Sequence, residues 1–540
     1  MTKRRFLLMF MLVFALIFAR YCYFGFEYYP QLDDYIQYHN YTSRGLGYAE
    51  LISALGLLSV RPLAGLADIF VWSNFFPVMI VAVAAISALF AASACLFYDV
   101  FRRRFGTGSL FFVVYALLPL AIEGTYWVSA SSRVVVGLFF TSLALWLFEK
   151  WCCGGKKRDA AFCAAAQLLA FGFYEQTIVL SFASVLIFGV LNFKPQRKRA
   201  LLSLCGFANL AIYAVFTRIF SDSSLYGSRM TIANPLSAWY YKEKLPEVLS
   251  QLKSAFLGGG FYTLVKGAYR GAKIFAAQPN FIYAIAVLAL CVALFIAAKR
   301  RDEESESADT RLKPRAALIV GVLLALAPTA PFFLIGETWF SLRGTVMSLC
   351  GIALIADTLL RFIPLKKLTA AITAAAALIC CVASVSEIDD YRETTANDMA
   401  IVALLAETLP RGGGEIAVLN VEPSYLGNQN YYYHEHIHGI TESGWALHGG
   451  LEYLMGAENA PSVTPLPRHP MYSPWNRDTA TLNNFDLIYL YIDGALTQII
   501  TEERSDGTTA LFAGGEYVGY VWEEDGYGYL ELESAATAAS

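Results

Sequence analysis

Long apolar runs recur along most of the chain, and they constrain its fold more than any other feature. The runs are about 17–25 residues long, the length that an α-helix needs to cross the hydrocarbon core of a bilayer. Of the 540 residues, 56% are hydrophobic and only 16% are charged, whereas soluble proteins average about 25% charged residues. The sequence therefore predicts a polytopic α-helical membrane protein.

Clusters of lysine and arginine between the apolar runs predict the orientation, because such clusters stay on the cytoplasmic side. We predict about 11 transmembrane helices within residues 1–385, with the N-terminus in the cytoplasm. The predicted spans are residues 6–25, 76–98, 109–123, 134–151, two short spans within 160–193, 200–220, 280–298, 316–335, 344–360 and 368–385. Long outer loops then cover residues 26–75 and 221–278. The second loop contains an amphipathic stretch at 245–264 that is suited to a membrane surface.

Residues 386–540 read as a separate soluble region. A helical pattern over 388–409 is followed by apolar runs at 416–421 and 485–491 that are typical of buried strands. Residues 517–532 alternate around an Asp-Gly pair like a β-hairpin. We predict a small extracytoplasmic α/β domain. None of the ten cysteines lies after Cys381, so a disulfide-stapled ectodomain is excluded.

Two adjacent carboxylates, Asp33 and Asp34, follow the first apolar run. No lysine or arginine lies beside them, so they repel each other and are costly at the mouth of a span unless they act chemically. One interpretation is a general base, or a pair of ligands for a divalent cation such as Mg²⁺ or Mn²⁺. The other is a solvated loop that caps a helix, a position that aspartate favours.

Single charges of both signs occur at the predicted outer ends of the helices, which suggests a cavity open to that side. The candidates with their neighbours are Arg133 with Trp127, Glu175 with Tyr174, and Arg343 with Glu337. An arginine there can hold a phosphate with its planar fork of donors, and Trp127 can stack on a sugar. Each group also has a structural interpretation: an aromatic belt with a surface arginine, a hydrogen-bonded helix turn, and a local ion pair.

Three alternate histidines, His434, His436 and His438, share one face of an extended strand, which makes metal binding possible. The sequence offers no obvious fourth ligand, so we favour a polar, aromatic, substrate-facing loop. The sequence also has no glycine-rich phosphate loop and no nucleotide-binding fingerprint. We therefore expect no nucleic acid partner.

The predicted layout begins with an N-terminal span and a long outer loop that has an acidic pair near its start. Further spans and an extracytoplasmic C-terminal domain follow. This layout resembles the GT-C superfamily of integral-membrane glycosyltransferases, which includes the protein O-mannosyltransferases and the bacterial GtrII-like glucosyltransferases. As sequence, the resemblance depends on Asp33 and Asp34 with their flanking aromatic residues. Arg133, Glu175 and Arg343 carry it more weakly. Several members have Asp-Glu at the acidic pair, which leaves open which acid is the base.

The resemblance implies transfer of a sugar from a polyprenyl-phosphate carrier to an acceptor hydroxyl, on the outer face of a bacterial plasma membrane. The implied acceptor is a saccharide or glycoconjugate of the cell surface. Asp33 is the first candidate for the base, and Asp34 is the second. Arg343 and Arg133 are candidates for binding the phosphate. Glu175 is then a supporting acid.

A transporter or flippase of lipid-linked saccharide is the main alternative, and it would use the outer charges as a translocation path. Alternating access requires polar groups on both sides, whereas the cytoplasmic halves of the predicted spans look nearly uncharged. A polymerase or ligase of surface polysaccharide is a second alternative, and it would depend on outer-loop arginine and histidine. A non-catalytic surface protein is disfavoured, because an anchor needs neither the polar loop nor so many spans.

Overall fold

The computed structural model describes residues 3–35, 61–219, 231–303, 312–336, 339–412, 414–422, 436–474 and 476–533. Within these ranges, the side chains of Pro77 and of residues 298–303 are not described. Two residues of the predicted sites, Glu337 and His434, lie outside the described residues. Most of the predicted outer loop 26–75 and the first part of the loop 221–278 lie outside them as well.

The chain forms two compact units. The first contains Met1–Tyr28 and Leu46–Asp389, and the second contains Tyr29–Gly45 and Asp390–Ser540. The turn that carries Asp33 and Asp34 therefore belongs to the same unit as the C-terminal residues.

The described part of the first unit is built of helices, and the last of them continues into the second unit. They are α1 (Lys3–Ala19), α2 (Pro62–Phe70), α3 (Met79–Phe105), α4 (Leu110–Ala116), α5 (Ile122–Thr125), α6 (Val128–Gly154), α7 (Lys157–Phe171), α8 (Glu175–Ala200), α9 (Cys205–Ile219), α10 (Leu245–Lys253), α11 (Gly267–Ala277), α12 (Phe281–Glu303), α13 (Pro314–Leu326), α14 (Ala330–Leu334), α15 (Leu342–Thr345), α16 (Leu349–Leu360) and α17 (Lys366–Thr408). The predicted amphipathic stretch 245–264 is helical, since π-helical turns at Ser254–Gly259 and Phe261–Lys266 connect α10 to α11.

Among the described residues, six helical segments are long and apolar enough to cross a membrane. They are Met79–Phe105, Val128–Gly154, Glu175–Ile219, Pro314–Leu334, Leu342–Leu360 and Lys366–Thr408. Two shorter apolar helices are Leu110–Thr125 and Phe281–Ala297. These segments are compatible with a membrane-embedded protein, but the predicted count of 11 spans is not confirmed.

One of these six segments turns back on itself where we predicted a break between spans. Pro195 lies inside α8, and Gln196 has φ −142° and ψ 51°, which are not helical values. A proline inside a helix removes a backbone hydrogen bond and bends the helix. After this bend and the 3₁₀ turn Leu201–Leu204, α9 packs back along α8, because the rings of Phe182 and Phe207 are 4.9 Å apart. The chain therefore reverses its direction near the basic cluster 194–199, where we predicted the break.

Aromatic rings fill the core between α3 and α4. Phe111 stacks on Tyr115 with ring centres 5.5 Å apart, and Phe101 meets Phe111 edge-on at 5.6 Å. The hydroxyl of Tyr115 is 2.8 Å from that of Ser93. Buried aromatic rings contribute large apolar areas, and a tyrosine hydroxyl that is buried needs a polar partner. This core fixes the helices that lead to the polar groups described below.

The second unit contains a seven-stranded sheet of order β2-β1-β3-β4-β5-β6-β7. The strands are β1 (Glu415–Leu419), β2 (Ser462–Leu466), β3 (Leu487–Ile492), β4 (Ala495–Glu503), β5 (Thr509–Ala513), β6 (Glu516–Glu524) and β7 (Tyr527–Leu532). Strand β1 pairs in parallel with β2 and β3, and the remaining pairs are antiparallel. The described residues of this unit also form the helices α18 (Gly444–Met455) and α19 (Arg477–Ala480).

The predicted strands at 416–421 and 485–491 are present as β1 and β3. The predicted hairpin is present as β6 and β7, and its turn has φ 52° at Asp525 and φ 80° at Gly526. Both values lie in the left-handed region, which Asp-Gly turns adopt readily. The C-terminal region is thus a curved sheet of mixed type with a few helices.

A segment after β2 covers the open edge of β7. The N–H of Leu530 donates to the carbonyl of Arg468 at 3.1 Å, and the N–H of Met471 donates to the carbonyl of Gly528 at 2.7 Å. The sheet therefore curls into a half-barrel, and this edge is not left open for another strand.

Candidate functional site

One end of the helices in the first unit carries most of the predicted site residues, and we call it the arginine end. Its members are Arg61, Asp68, Glu123, Trp127, Arg133, Tyr174, Glu175, Trp339 and Arg343. Gln176 joins two parts of it, because its amide donates to the carbonyls of Pro328 and Gly344 at 3.0 Å each. The start of α8 is thereby fixed beside the turn that carries Arg343.

Arg61 and Glu175 form an ion pair just before α2. The Nε of Arg61 donates to both carboxylate oxygens of Glu175 at 3.0 and 3.1 Å, and Nη2 lies 2.9 Å from Oε2. The guanidinium also lies over the ring of Tyr174, 4.3 Å from its centre. Burial lowers the pKa of Arg61, but the carboxylate of Glu175 and then Tyr174 raise it above its ordinary value. Both predicted residues, Tyr174 and Glu175, thus contact the guanidinium of Arg61.

Arg133 and Asp68 form a second ion pair. The Nη2 of Arg133 lies 3.0 Å from Oδ2 of Asp68, whose side chain is fully buried. Ser132 donates to Oδ1 of the same carboxylate at 3.2 Å. Burial raises the pKa of Asp68 to about 6, although Arg133 and Ser132 act to lower it. The pKa of this carboxyl group therefore lies above the ordinary value for an aspartate.

Arg343 differs from both of these arginines. Its guanidinium lies between two indole rings, 5.4 Å from the centre of Trp127 and 5.3 Å from that of Trp339. Its Nε is 3.7 Å from Oε1 of Glu123, which is beyond hydrogen-bonding distance. The guanidinium donates no hydrogen bond to any described residue, and its side chain is 25% exposed. Arg343 therefore keeps its fork of donors available.

Glu123 holds the backbone of that turn in place. Its side chain is fully buried and accepts hydrogen bonds from the hydroxyl of Ser341 at 3.1 Å and from the backbone N–H of Arg343 at 2.8 Å. A buried carboxylate is stabilised by such donors and by the nearby positive charge. These bonds fix the backbone that presents the Arg343 side chain.

The predicted acidic pair lies in a turn of the second unit. Asp34 is fully buried, and its Oδ2 accepts the backbone N–H of Gln31 at 2.9 Å. The amide of Gln31 donates in turn to Thr395 of α17 at 3.4 Å. Asp33 is half-buried, and its carboxylate makes no hydrogen bond or ion pair with the residues that the structure describes. The two acids thus have different roles, with Asp34 built into the turn.

Two contributors to the arginine end were missed from the sequence, Asp68 and Trp339. Asp68 is the only charge in the apolar stretch 62–71. A lone charge in such a stretch is a signal that could have identified it. Trp339 lies four residues before Arg343 and gave no comparable signal.

The opposite end of the same helices is closed by ion pairs, and we call it the paired end. The Nε and Nη2 of Arg104 lie 2.8 and 2.7 Å from Oε2 of Glu149, whose side chain is buried. Asn192 donates to the other oxygen of Glu149 at 2.7 Å. Arg103 and Trp146 both donate to Asp99. Apart from the basic clusters, we expected the predicted cytoplasmic halves of the spans to be nearly uncharged. Asp99 and Glu149 pair with Arg103 and Arg104 near this end, so the helices carry more charge here than we expected.

In the described ranges, no group of three or more histidine, cysteine, aspartate or glutamate side chains is placed to hold a metal ion. His436 and His438 are both buried, and Nδ1 of His438 lies 3.1 Å from Oε2 of Glu442. A divalent cation at Asp33 and Asp34 stays a prediction.

Comparison with known proteins adds no assignment. No known family model matches the chain, and no curated protein sequence matches it. The function has to be argued from the residues of the two units themselves.

Proposed function

We propose that the chain is an integral-membrane glycosyltransferase. It moves a sugar from a polyprenyl-phosphate carrier to a hydroxyl of a saccharide or glycoconjugate acceptor at the outer face of a bacterial plasma membrane. The acceptor oxygen bonds to the anomeric carbon while the bond from that carbon to the phosphate oxygen breaks. The acceptor proton passes to a base, and the carrier phosphate leaves with the negative charge.

The availability of Arg343 is the observation that carries this proposal. Arg61 and Arg133 are occupied by carboxylates, whereas the guanidinium of Arg343 is partly exposed and makes no hydrogen bond with described residues. The planar fork of an arginine matches the oxygens of a phosphate. Fixed donors at a leaving phosphate stabilise the charge that develops on it. Trp127 and Trp339 hold the guanidinium in one orientation before the substrate arrives.

Asp33 is our candidate for the base. A base needs a carboxylate that can reach a hydroxyl, and Asp33 is the half-exposed member of the acidic pair. Asp34 is buried and serves the turn through the N–H of Gln31. This difference supports the first choice made from the sequence, which the resemblance alone left open.

The paired end supports an enzyme over a transporter or flippase. Alternating access would require the helices to separate at that end during each cycle. Arg104 of α3 is tied to Glu149 of α6 and to Asn192 of α8. Separating these helices would break the ion pair and the hydrogen bonds that join them. The contacts therefore favour a rigid scaffold with polar chemistry at the arginine end.

Sugar transfer in reconstituted membranes tests the proposal. The purified chain is supplied with polyprenyl-phosphate sugars and with cell-surface saccharide acceptors. We expect transfer by the wild type and a loss of about 100-fold or more in Arg343→Gln, because one donor to a developing charge has an effect of that size. The control is Arg158→Gln, which changes an arginine that is 68% exposed. Absence of transfer by the wild type with every donor, or equal rates in the two variants, would contradict the proposal.

The base is tested separately with Asp33→Asn and Asp34→Asn. A missing general base lowers the rate by about 10²–10⁴. We expect Asp33→Asn to bind the donor normally and to lose transfer. Asp34→Asn is expected to lower the thermal stability of the protein, because it changes a buried acceptor in the turn. If Asp33→Asn transfers sugar at the wild-type rate, the assignment of Asp33 is wrong while that of Arg343 stands.

A further inference from the structure

Four rings lie side by side on one face of the last hairpin, and we call them the aromatic platform. They belong to Tyr520, Trp522, Tyr529 and His469. Trp522 and Tyr529 are directly opposite each other in the register of β6 and β7, and their rings stack at 5.2 Å with an angle of 24°. Tyr520 lies 5.5 Å from Trp522, and His469 lies 6.0 Å from it.

The platform is on the face of the hairpin that looks away from the core. Neighbouring residues of a strand point to opposite faces. Val521 and Leu530 are buried in the core of the sheet, at 6% and 0% exposure. Their neighbours Tyr520, Trp522 and Tyr529 are all partly exposed, and His469 is exposed. The rings are therefore an accessible surface and not part of the packing between the strands and the core.

His469 belongs to this surface because of the way the sheet closes. The segment after β2 pairs with β7 through Arg468 and Met471, as described above. The imidazole between them comes to lie 6.1 Å from the ring of Tyr529. The platform thus combines residues from two distant parts of the chain. The hairpin has cross-strand pairs of its own, so His469 is not required to hold it together.

The border of the platform is charged. Glu531 is opposite Tyr520 in the register, and its Oε1 lies 3.7 Å from Nη2 of Arg468. At the other end, Glu524 is exposed and is opposite Tyr527, which is 39% exposed. Acceptors and donors thus lie at both ends of a row of aromatic faces.

We propose that the aromatic platform binds a saccharide. The faces of sugar rings carry C–H groups that stack on aromatic faces, while their edges carry hydroxyls that need hydrogen-bonding partners. Rings that are apolar on the face, with polar groups at the border, provide both contacts. This binding site goes beyond the proposed transferase, because it needs no carrier phosphate and contains neither Arg343 nor Asp33.

The charges of the border decide between possible occupants. An anionic lipid surface attracts clusters of lysine and arginine, whereas two carboxylates, Glu524 and Glu531, border this face. A neutral or cationic saccharide does not meet this objection.

Binding to the full-length protein in lipid nanodiscs tests the inference. The probes are neutral oligosaccharides of hexoses and N-acetylhexosamines, offered without any lipid-linked donor. We expect saturable binding of at least one probe, and binding about tenfold weaker in Trp522→Ala, which corresponds to the loss of a stacking ring. Trp522→Phe should keep most of the affinity. The matched control is Tyr491→Ala, which removes a partly exposed ring of β3 outside the platform.

Three results would overturn the inference. The first is binding that is equal in Trp522→Ala and in the wild type, and the second is no binding of any probe. The third is that Trp522→Ala loses association with vesicles of phosphatidylglycerol and retains all saccharide binding, which would make the platform a membrane contact. The sugar-transfer assay plays no part in these measurements. Failure of the platform and failure of the proposed transferase are therefore separate outcomes.

Discussion

The arginine end and the paired end of the helical unit both contain ion pairs between arginines and carboxylates, and the contrast between them lies in Arg343 and Arg104. At the paired end, Arg104 donates to Glu149 with two nitrogens, and Asn192 takes the remaining oxygen. At the arginine end, Arg343 lies beside the buried carboxylate of Glu123 without a hydrogen bond to it. The guanidinium of Arg104 is thus bound to a buried carboxylate, whereas that of Arg343 makes no hydrogen bond with a described residue, and our proposal depends on this difference.

The difference arises from what satisfies each buried carboxylate. Glu123 accepts a hydroxyl and a backbone N–H, so it does not need the guanidinium as a donor. Glu149 depends on side chains of two other helices. A buried charge that loses its partner is costly, whereas one held by the backbone tolerates the change.

The largest expected effect separates the two ends by stability. Arg104→Gln leaves Glu149 buried without its ion pair and is expected to destabilise the protein by about 3 kcal/mol. Arg343→Gln removes no hydrogen bond to a described residue and is expected to cost less than about 1 kcal/mol. Thermal unfolding in detergent micelles measures both. The double variant Arg104→Gln with Glu149→Gln should recover part of the loss. Equal destabilisation by the two single variants would remove the distinction between the ends.

The second-largest expected effect is the dependence of the unfolding free energy on pH that Asp68 causes. Its pKa of about 6 in the folded protein exceeds the ordinary value, so the folded chain binds this proton more tightly than the unfolded chain. Stability from this group is present at low pH and is lost as the pH rises from about 4 through about 6. We expect a loss of about 2 kcal/mol over that interval. Unfolding midpoints measured between pH 4 and pH 7 should show a shallower dependence in Asp68→Asn, and an unchanged slope would be evidence against burial of the carboxyl group.

A smaller effect sharpens the assignment of Arg343. Arg343→Lys keeps the charge but replaces the planar fork by a point charge. We expect the affinity for a short-chain polyprenyl phosphate to fall about tenfold, as measured by calorimetry in micelles. Arg158→Lys should leave the affinity unchanged. If lysine at 343 binds as tightly as arginine, the phosphate contact depends on charge alone.

The smallest effect concerns the indole that holds Arg343. A cation–π contact at a partly exposed site contributes about 0.5–1 kcal/mol. Trp339→Leu should therefore weaken binding of the same phosphate about threefold. The control is Trp445→Leu, which changes a tryptophan of α18 that is 60% exposed. A loss as large as that of Arg343→Lys would mean that Trp339 itself contacts the ligand.

Sequence reasoning identified the helical class and four of the seven strands, because both depend on local periodicity. Strands β2, β4 and β5 were not predicted. It placed the ends of spans at the charges, whereas α3 continues through Arg102, Arg103 and Arg104 to Phe105. The helix can continue because Asp99 and Glu149 pair with two of these arginines. The pair of Arg104 and Glu149 joins two helices and has no signature in a single apolar run, whereas Asp99 and Arg103 are four positions apart on α3.

The sequence predicted several residues of the candidate site but few of the contacts between them. Trp127 and Arg343 were both named from the sequence, and the structure places the guanidinium of Arg343 over the Trp127 ring. The pairing of Arg133 with Asp68 joins residues 65 positions apart, and nothing in local spacing indicates it. Burial separates Asp33 from Asp34, and adjacent identical residues give no basis for that distinction in the sequence.

The closure of the half-barrel has a consequence for the order of folding. Arg468 contacts Leu530 across 62 positions of the chain. Because non-local contacts form only after the intervening chain is ordered, this edge can be sealed only once the last hairpin has been synthesised and has folded. His469 cannot reach the rings of the hairpin before that step. The surface that we propose for saccharide therefore comes into existence last, and a chain that ends before β7 would have a sheet without it.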